Sequence, residues 1–311
     1  MKRFYYFIAA FLMLMYFELY ANDISGEINK YSKVTSVNKG SNYVETEHPE
    51  YFGFCDLVLL IQMRGASINL SNSAEFGSIV DNNDYRSAGN YEFLVISKID
   101  GNKIFFSTEI KRTYEITGKV QLIRVPFFEN ATVTDTLRPK KWDGTTGGVL
   151  ALKVDNTLTL NKPIKASGCG FEGAVRFGDA TNTIDQPNYY YPYPSWEAAL
   201  KGDGIYTELP SSRKSGRGAP ANGGGGGNNH NAGGGGGSNA GSGGKGGLCW
   251  NKRMNQSTAN DYGGLGGWAL DYNATLNKIF MGGGGGAGHS NASDNVSTKG
   301  EDGGGIIIII A

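Results

Sequence analysis

In the first part of the chain, hydrophobic and polar residues alternate in a pattern that recurs. Alternation covers KVTSVNKGSNYVETE (33–47) and gives way to the apolar run DLVLLIQM (56–63). The same succession returns in VISKIDGNKIFFSTE (95–109) and GKVQLIRV (118–125). Period-two alternation predicts β-strands, and NKGSN and DGN are turn sequences typical of hairpins. Each unit therefore predicts a hairpin, a loop and a third strand.

The two units repeat at a constant distance of 62 residues. Val34 corresponds to Ile96, and Val58 corresponds to Val120. Neither three-stranded unit can bury its apolar face alone, whereas two units packed together can. The repeat predicts a small barrel-like β module of six strands with pseudo-two-fold symmetry, over residues 22–128.

A second β region follows. ATVTDTLRP (131–139) alternates, and VLALKVDNTLTLNKPIKASG (149–168) contains two or three short strands with a turn at Asp155. Strands at such close spacing predict a β-sandwich or the first rungs of a β-helix, and an ordinary meander is the remaining alternative.

Glycine dominates the rest of the chain and changes this picture. The sequence holds 48 glycines among 311 residues, with five-residue runs at 223–227, 233–237 and 282–286. A phosphate-binding loop does not fit around the GK pair. Asn239 stands where that motif requires glycine, and Gly246 stands where it requires Ser or Thr.

Two interpretations of the glycine runs remain. A flexible linker fits their composition. However, apolar residues stand between the runs, in GGLCW, GGLGGWALDYNATLNKIF and a final GGGIIIII. Chains without Cβ atoms can instead pack side by side as extended helices with three residues per turn that hydrogen-bond through their backbones. We therefore expect packed polyglycine II-type helices within a β and glycine-rich module over residues 129–311.

Residues 1–21 have the features of a secretory signal peptide. A positively charged start precedes an apolar run that is too short to cross a membrane. Export implies an oxidising compartment, where three cysteines can form at most one internal disulfide. Cys55 adjoins a predicted buried strand, so the pairing that the sequence allows is Cys169 with Cys249.

Charge and motifs limit the expected chemistry. With 29 basic and 29 acidic residues the formal net charge is zero, which argues against a nucleic-acid partner. We expect no cofactor. His230 and His289 flank glycine runs and could form a metal or catalytic pair, or they could be polar loop residues. Asp81 and Asp84 could line a calcium loop, although they do not match the EF-hand spacing.

An aromatic stretch, NYYYPYPSWEAALKG (188–202), is the candidate binding surface. Exposed aromatic side chains stack on sugar rings or anchor protein partners. Alternatively, they cover the junction between the β modules and the glycine-rich region. The residues concerned are Tyr189, Tyr190, Tyr191, Tyr193 and Trp196.

Several longer segments of the sequence are the basis of a resemblance to a known group of proteins. They are CDLVLLIQMRGASI, GNYEFLVISKIDGNKI, GKVQLIRVPFFENATVT, WDGTTGGVLALKV, the glycine runs and GGGIIIII. In these segments the chain resembles the N-terminal part of large secreted surface proteins of Bacteroidetes-type bacteria, which end in a gliding-motility-associated or type IX sorting domain. The resemblance implies a barrel-like β module before a glycine-rich module. This chain departs from the pattern because it stops at Ala311 with no visible sorting signal, so we expect a fragment.

These observations predict an all-β protein that is secreted or held at the outer cell surface, non-catalytic, and structural or adhesin-like. Its partners would be surface glycans or other envelope proteins, with no transmembrane segment after signal cleavage. The alternative is a polysaccharide-binding or polysaccharide-active β-helix protein that lacks its catalytic or sorting region, because such proteins scatter their acidic residues across rungs.

Overall fold

The fold is all-β, as predicted. A computed structural model describes residues 21–80, 85–175, 187–228, 230–249, 261–272, 277–290 and 298–311. Three short 3-10 turns accompany the strands, at Pro49–Tyr51, Ile116–Gly118 and Ser211–Arg213. The strands are β1 (Asn22–Gly26), β2 (Lys30–Asn38), β3 (Tyr43–Thr46), β4 (Leu57–Gln62), β5 (Tyr91–Asp100), β6 (Lys103–Phe106), β7 (Val120–Arg124), β8 (Phe127–Leu137), β9 (Val149–Leu160) and β10 (Ile306–Ile310).

Six of these strands close into an antiparallel barrel in the order β2-β3-β6-β5-β4-β7. β4 shows why the sequence reads as an unbroken apolar run. Val58 and Leu60 belong to one buried cluster with other barrel strands, whereas Leu59 and Ile61 belong to a second cluster shared with the rest of the molecule. The strand is therefore buried on both faces, and alternation disappears.

The barrel registers relate residues that are 62 positions apart. Tyr43 of β3 pairs with Phe105 of β6, and Leu60 of β4 pairs with Leu122 of β7. A two-fold axis through both pairs would exchange the two units. The register also shifts at Val34/Ser36 and at Ile96/Lys98, which are corresponding positions in the two units.

The remaining strands form a second sheet, ordered β1-β8-β9-β10, in which every neighbouring pair is parallel. Residues 22–26, which the sequence analysis placed in the first module, belong instead to this sheet, because Asn22 pairs with Ala131. The barrel is thus inserted between β1 and β8. The sequence pattern of a five-residue strand such as β1 is too short to indicate which sheet the strand joins. Parallel pairing of β8 with β9 also differs from a meander, in which consecutive strands are antiparallel.

β10 consists of the five isoleucines and is hydrogen-bonded to β9. Ile306 is buried and Ile308 packs against the same cluster as Val149 of β9. Ile307 and Ile309 point the other way and are 41% and 43% exposed. One face of the strand is therefore buried and the other is exposed. β-branched side chains fit such a half-buried pleated surface.

Polar side chains from the barrel join it to the parallel sheet. β8 pairs with β9 only from Lys153 onward, which leaves the first residues of β9 without a strand partner on that side. Tyr31 donates its hydroxyl hydrogen to Val149 O (2.8 Å). Two residues earlier, Asn29 donates to Ala151 O (2.6 Å) and accepts from Ala151 N–H (3.1 Å). These side chains take the place of a neighbouring strand.

We expect Asn29→Ala to destabilise the chain by about 2–4 kcal/mol, because both backbone groups of Ala151 would lose their buried partner. Urea denaturation of the full chain measures this change. Asn156→Ala, which removes an exposed amide from the same strand, should change the free energy of unfolding by less than about 0.5 kcal/mol. Equal effects of the two substitutions would contradict the role assigned to Asn29.

Candidate functional site

Eight glycine-rich segments fill the space beside the parallel sheet. They belong to neither helix nor β-strand and are joined to one another by backbone hydrogen bonds. We name them g1 (170–174), g2 (199–204), g3 (222–228), g4 (232–238), g5 (243–247), g6 (262–268), g7 (282–289) and g8 (298–305).

Segment g7 donates hydrogen bonds to three neighbours in strict rotation. The N–H groups of residues 282, 285 and 288 bond to g8, those of 283, 286 and 289 bond to g4, and those of 284 and 287 bond to g2. The donor–acceptor distances are 2.7–3.0 Å. Each N–H direction thus recurs every third residue, and no bond lies within the segment.

Close backbone contact explains the absence of side chains. A Cβ added to Gly283, Gly284 or Gly286 would lie well under 3.0 Å from a backbone carbonyl oxygen of another segment, a distance that side chains do not tolerate. The contacted oxygens belong to Asn222, Glu172 and Gly225. By contrast, a Cβ on Gly244 of g5 would meet no atom within 4 Å.

A buried lysine ties the aromatic stretch to the glycine segments. Lys201 of g2 donates to the carbonyl oxygens of Tyr189 (2.6 Å), Gly216 (2.7 Å) and Gly218 (2.7 Å). Its ammonium also lies 4.4 Å from the ring centre of Phe76. Burial lowers the Lys201 pKa well below its usual value. Sequence reasoning missed this residue, because carbonyl acceptors carry no sequence signature.

The predicted aromatic cluster divides into buried and exposed members. Tyr191 is buried, and Tyr189 and Tyr190 pack against the main hydrophobic cluster. Tyr193 and Trp196 are 41% and 52% exposed. Tyr189 and Tyr190 therefore pack where the β modules meet the glycine segments, whereas Tyr193 and Trp196 leave aromatic surface accessible.

His289 links the same stretch to g7. Its Nδ1 lies 3.1 Å from Asn231 N, which donates to it, and its Nε2 lies 3.2 Å from Trp196 O. This pattern fits the neutral tautomer with the proton on Nε2. Burial lowers the pKa of His289. Both nitrogens are engaged, and the described residues contain no group of three or more His, Cys, Asp or Glu that could hold a metal.

A pocket of about 300 Å³ opens where the barrel meets g1 and g2. Arg64, just after β4, forms a partly buried ion pair with Asp203 of g2. Burial raises the pKa of Asp203 to about 6, although the Arg64 charge acts in the opposite direction. Glu172 of g1 and Tyr206 also line this pocket. No sequence pattern predicted this pocket, because Arg64 and Asp203 are 139 positions apart.

Four other predictions concern a disulfide, a calcium loop, the signal peptide and membrane spans. The Cys169 thiol is free and buried, 3.9 Å from Pro139 O and 3.7 Å from Ser167 O, so the Cys169–Cys249 disulfide is not formed. Asp81 and Asp84 lie outside the described residues, as does nearly all of the expected signal peptide. Among the described residues, none lies in a helix of the length and hydrophobicity that a bilayer crossing requires.

No family model, curated protein or solved structure matches this chain.

We expect acid to destabilise the folded chain through His289. Because its pKa is lowered on folding, the unfolded chain binds this proton first as the pH falls below about 6.5, and the free energy of unfolding decreases. In His289→Gln this part of the pH dependence should disappear. Urea denaturation of both chains at intervals from pH 8 to pH 5 measures the two slopes, and identical slopes would contradict the buried neutral state.

Proposed function

We propose that the glycine segments form a rigid bundle of polyglycine II-type helices rather than a flexible linker. The observation that carries this proposal is the rotation of g7 donors among three neighbours, because a helix with three residues per turn repeats each direction every third residue. The close carbonyl contacts at Gly283, Gly284 and Gly286 support it further.

We further propose that the chain is a non-catalytic, structural or adhesin-like part of an exported surface protein. A rigid bundle suits the presentation of a binding surface, and Tyr193 and Trp196 offer exposed aromatic rings at its border. Lys201 and His289 are engaged by backbone groups, which supports structural roles for both. The resemblance to Bacteroidetes-type surface proteins points the same way.

The alternative is a polysaccharide-active protein, and one feature favours it. Asp203, with a pKa of about 6, and Glu172 line the same small pocket. A carboxyl group whose pKa is raised keeps its proton to a higher pH than usual, and a raised pKa is a feature of general acids. Its pairing with Arg64 supports a structural role instead.

The bundle predicts opposite effects for two glycine substitutions. Gly284→Ala should destabilise the chain by about 1–3 kcal/mol or more, because its Cβ would collide with Glu172 O. Gly244→Ala should be neutral or stabilise by up to about 1 kcal/mol, because the site is open and alanine restricts the unfolded chain. Denaturation measures both.

A flexible linker predicts that the two alanine variants behave alike. Hydrogen exchange gives a second readout on the unmodified chain. Slow exchange of the amides of residues 283–289 supports the bundle, whereas exchange at the rate of an unfolded peptide would overturn it.

The adhesin role predicts binding without turnover. On a panel of surface polysaccharides, the chain should retain at least one glycan and release no oligosaccharide. Trp196→Ala should weaken that binding about tenfold, or about 1.4 kcal/mol, because a stacking surface is lost. Phe54→Ala removes a 74% exposed aromatic ring from the barrel and serves as the matched control. Released oligosaccharide that disappears in Asp203→Asn would favour the polysaccharide-active alternative.

A further inference from the structure

Segment g7 lies inside an incomplete ring of neighbours. Backbone hydrogen bonds connect g8 to g1, g1 to g2, g2 to g3 and g3 to g4, and all five segments are bonded to g7. Between g4 and g8, no hydrogen bond is found in the described chain. Six neighbours complete a hexagonal packing of rods, so the described residues leave one place beside g7 unfilled.

Chain direction alternates around this ring. The bonds of g7 to g8, g2 and g4 run antiparallel, since the acceptor numbers fall as the donor numbers rise. The bonds of g1 and g3 to g7 run parallel. A sixth segment that continues the alternation would run parallel to g7.

The vacant place is a groove of about 600 Å³ walled by the backbone of g4, g7 and g8. Backbone groups that line it lack partners within the described chain. The N–H groups of Gly234 and Gly237 in g4 and of Glu301 and Gly304 in g8 donate no hydrogen bond. Gly234 and Gly237 are partly exposed and Glu301 and Gly304 are exposed, so these N–H groups are accessible to a further chain.

The ring segments show what a sixth segment must look like. A Cβ on Gly300 or Gly303 of g8, or on Gly234 or Gly237 of g4, would lie well under 3.0 Å from a carbonyl oxygen of g7. In both segments these glycines are three residues apart, and other residues stand between them in g8. The place beside g7 therefore accepts a chain with glycine at every third residue.

No remaining part of this chain meets that requirement. Outside the described residues, the sequence has one glycine, Gly178, so it offers no pair of glycines three positions apart there. A second copy could supply a segment only by removing it from its own bundle. Within these 311 residues no free segment of the required pattern is therefore found, and we assign the place to a partner chain.

We propose that the groove between g4 and g8 binds an extended segment of a partner protein that carries glycine at every third residue and runs parallel to g7. This inference rests on the proposed polyglycine bundle. Recognition is through the peptide backbone, and the repeated glycine, rather than any particular side chain, gives the specificity.

Synthetic peptides test the proposal with the full chain. The probe is a fluorescently labelled nonapeptide, Gly-Ser-Asn repeated three times, and the control is Ala-Ser-Asn repeated three times. Fluorescence anisotropy should show saturable binding of the glycine peptide and at least tenfold weaker binding of the alanine peptide. Equal binding of the two peptides, or no binding of the glycine peptide at millimolar concentration, would overturn the proposal.

Two variants locate the binding site. Gly304 lines the groove and Gly247 does not, yet a Cβ on either would meet no atom within 4 Å. Gly304→Leu should therefore fold and lose peptide affinity at least tenfold, whereas Gly247→Leu should bind as the unmodified chain does. Unchanged affinity in Gly304→Leu would contradict the assigned site.

Hydrogen exchange and sedimentation on the same samples separate the remaining outcomes. Protected g7 amides without peptide binding would overturn this inference alone, whereas unprotected amides would overturn the bundle as well. Concentration-dependent dimers that Gly304→Leu abolishes would assign the groove to a second copy and overturn the assignment to a partner protein.

Discussion

Direct contact between backbones, with no side chain between them, is the interaction on which the glycine-rich half of this protein depends. A carbonyl oxygen of one segment occupies the space that a Cβ of the next would need, as at Gly284 and Glu172. Because no backbone–backbone hydrogen bond lies within any of the described segments, each one is stable only beside its neighbours. Glycine loses more conformational freedom on folding than any other residue, so an isolated segment would not stay ordered.

The parallel sheet supplies the fixed ends that such segments need. Segment g8 continues directly into β10, and Ile306 N–H bonds to Gly148 O just before β9 begins. The pentaisoleucine strand thus anchors the last segment by apolar burial on one face. Side chains that bond to backbone groups complete the connection. Asn29 joins the barrel to β9, and Lys201 joins the aromatic stretch to the chain that leads into g3.

The sequence predicted the positions of the strands better than it predicted which strands pair with each other. Alternation and turn chemistry located all six barrel strands, because these signals are local. β1 was assigned to the wrong sheet, because its partner β8 begins about a hundred residues later. Five consecutive glycines hide a three-residue period, so the direction of each N–H could not be read from the runs. Lys201 and the Arg64–Asp203 pair were missed because their partners are carbonyl groups or distant residues.

The stretch from g8 through β10 forms a boundary of both the bundle and the sheet. Segment g8 borders the vacant place beside g7, and within the described chain β10 has β9 as its one strand neighbour. Both boundaries offer backbone donors and acceptors to an added chain. They differ in what they select. The bundle requires glycine at fixed spacing, whereas the sheet edge favours β-branched side chains that extend the exposed row at Ile307 and Ile309. If the proposed groove binds a partner, one continuous stretch combines two surfaces that could add an extended chain, and the steric demand of g7 makes the first more selective than the second.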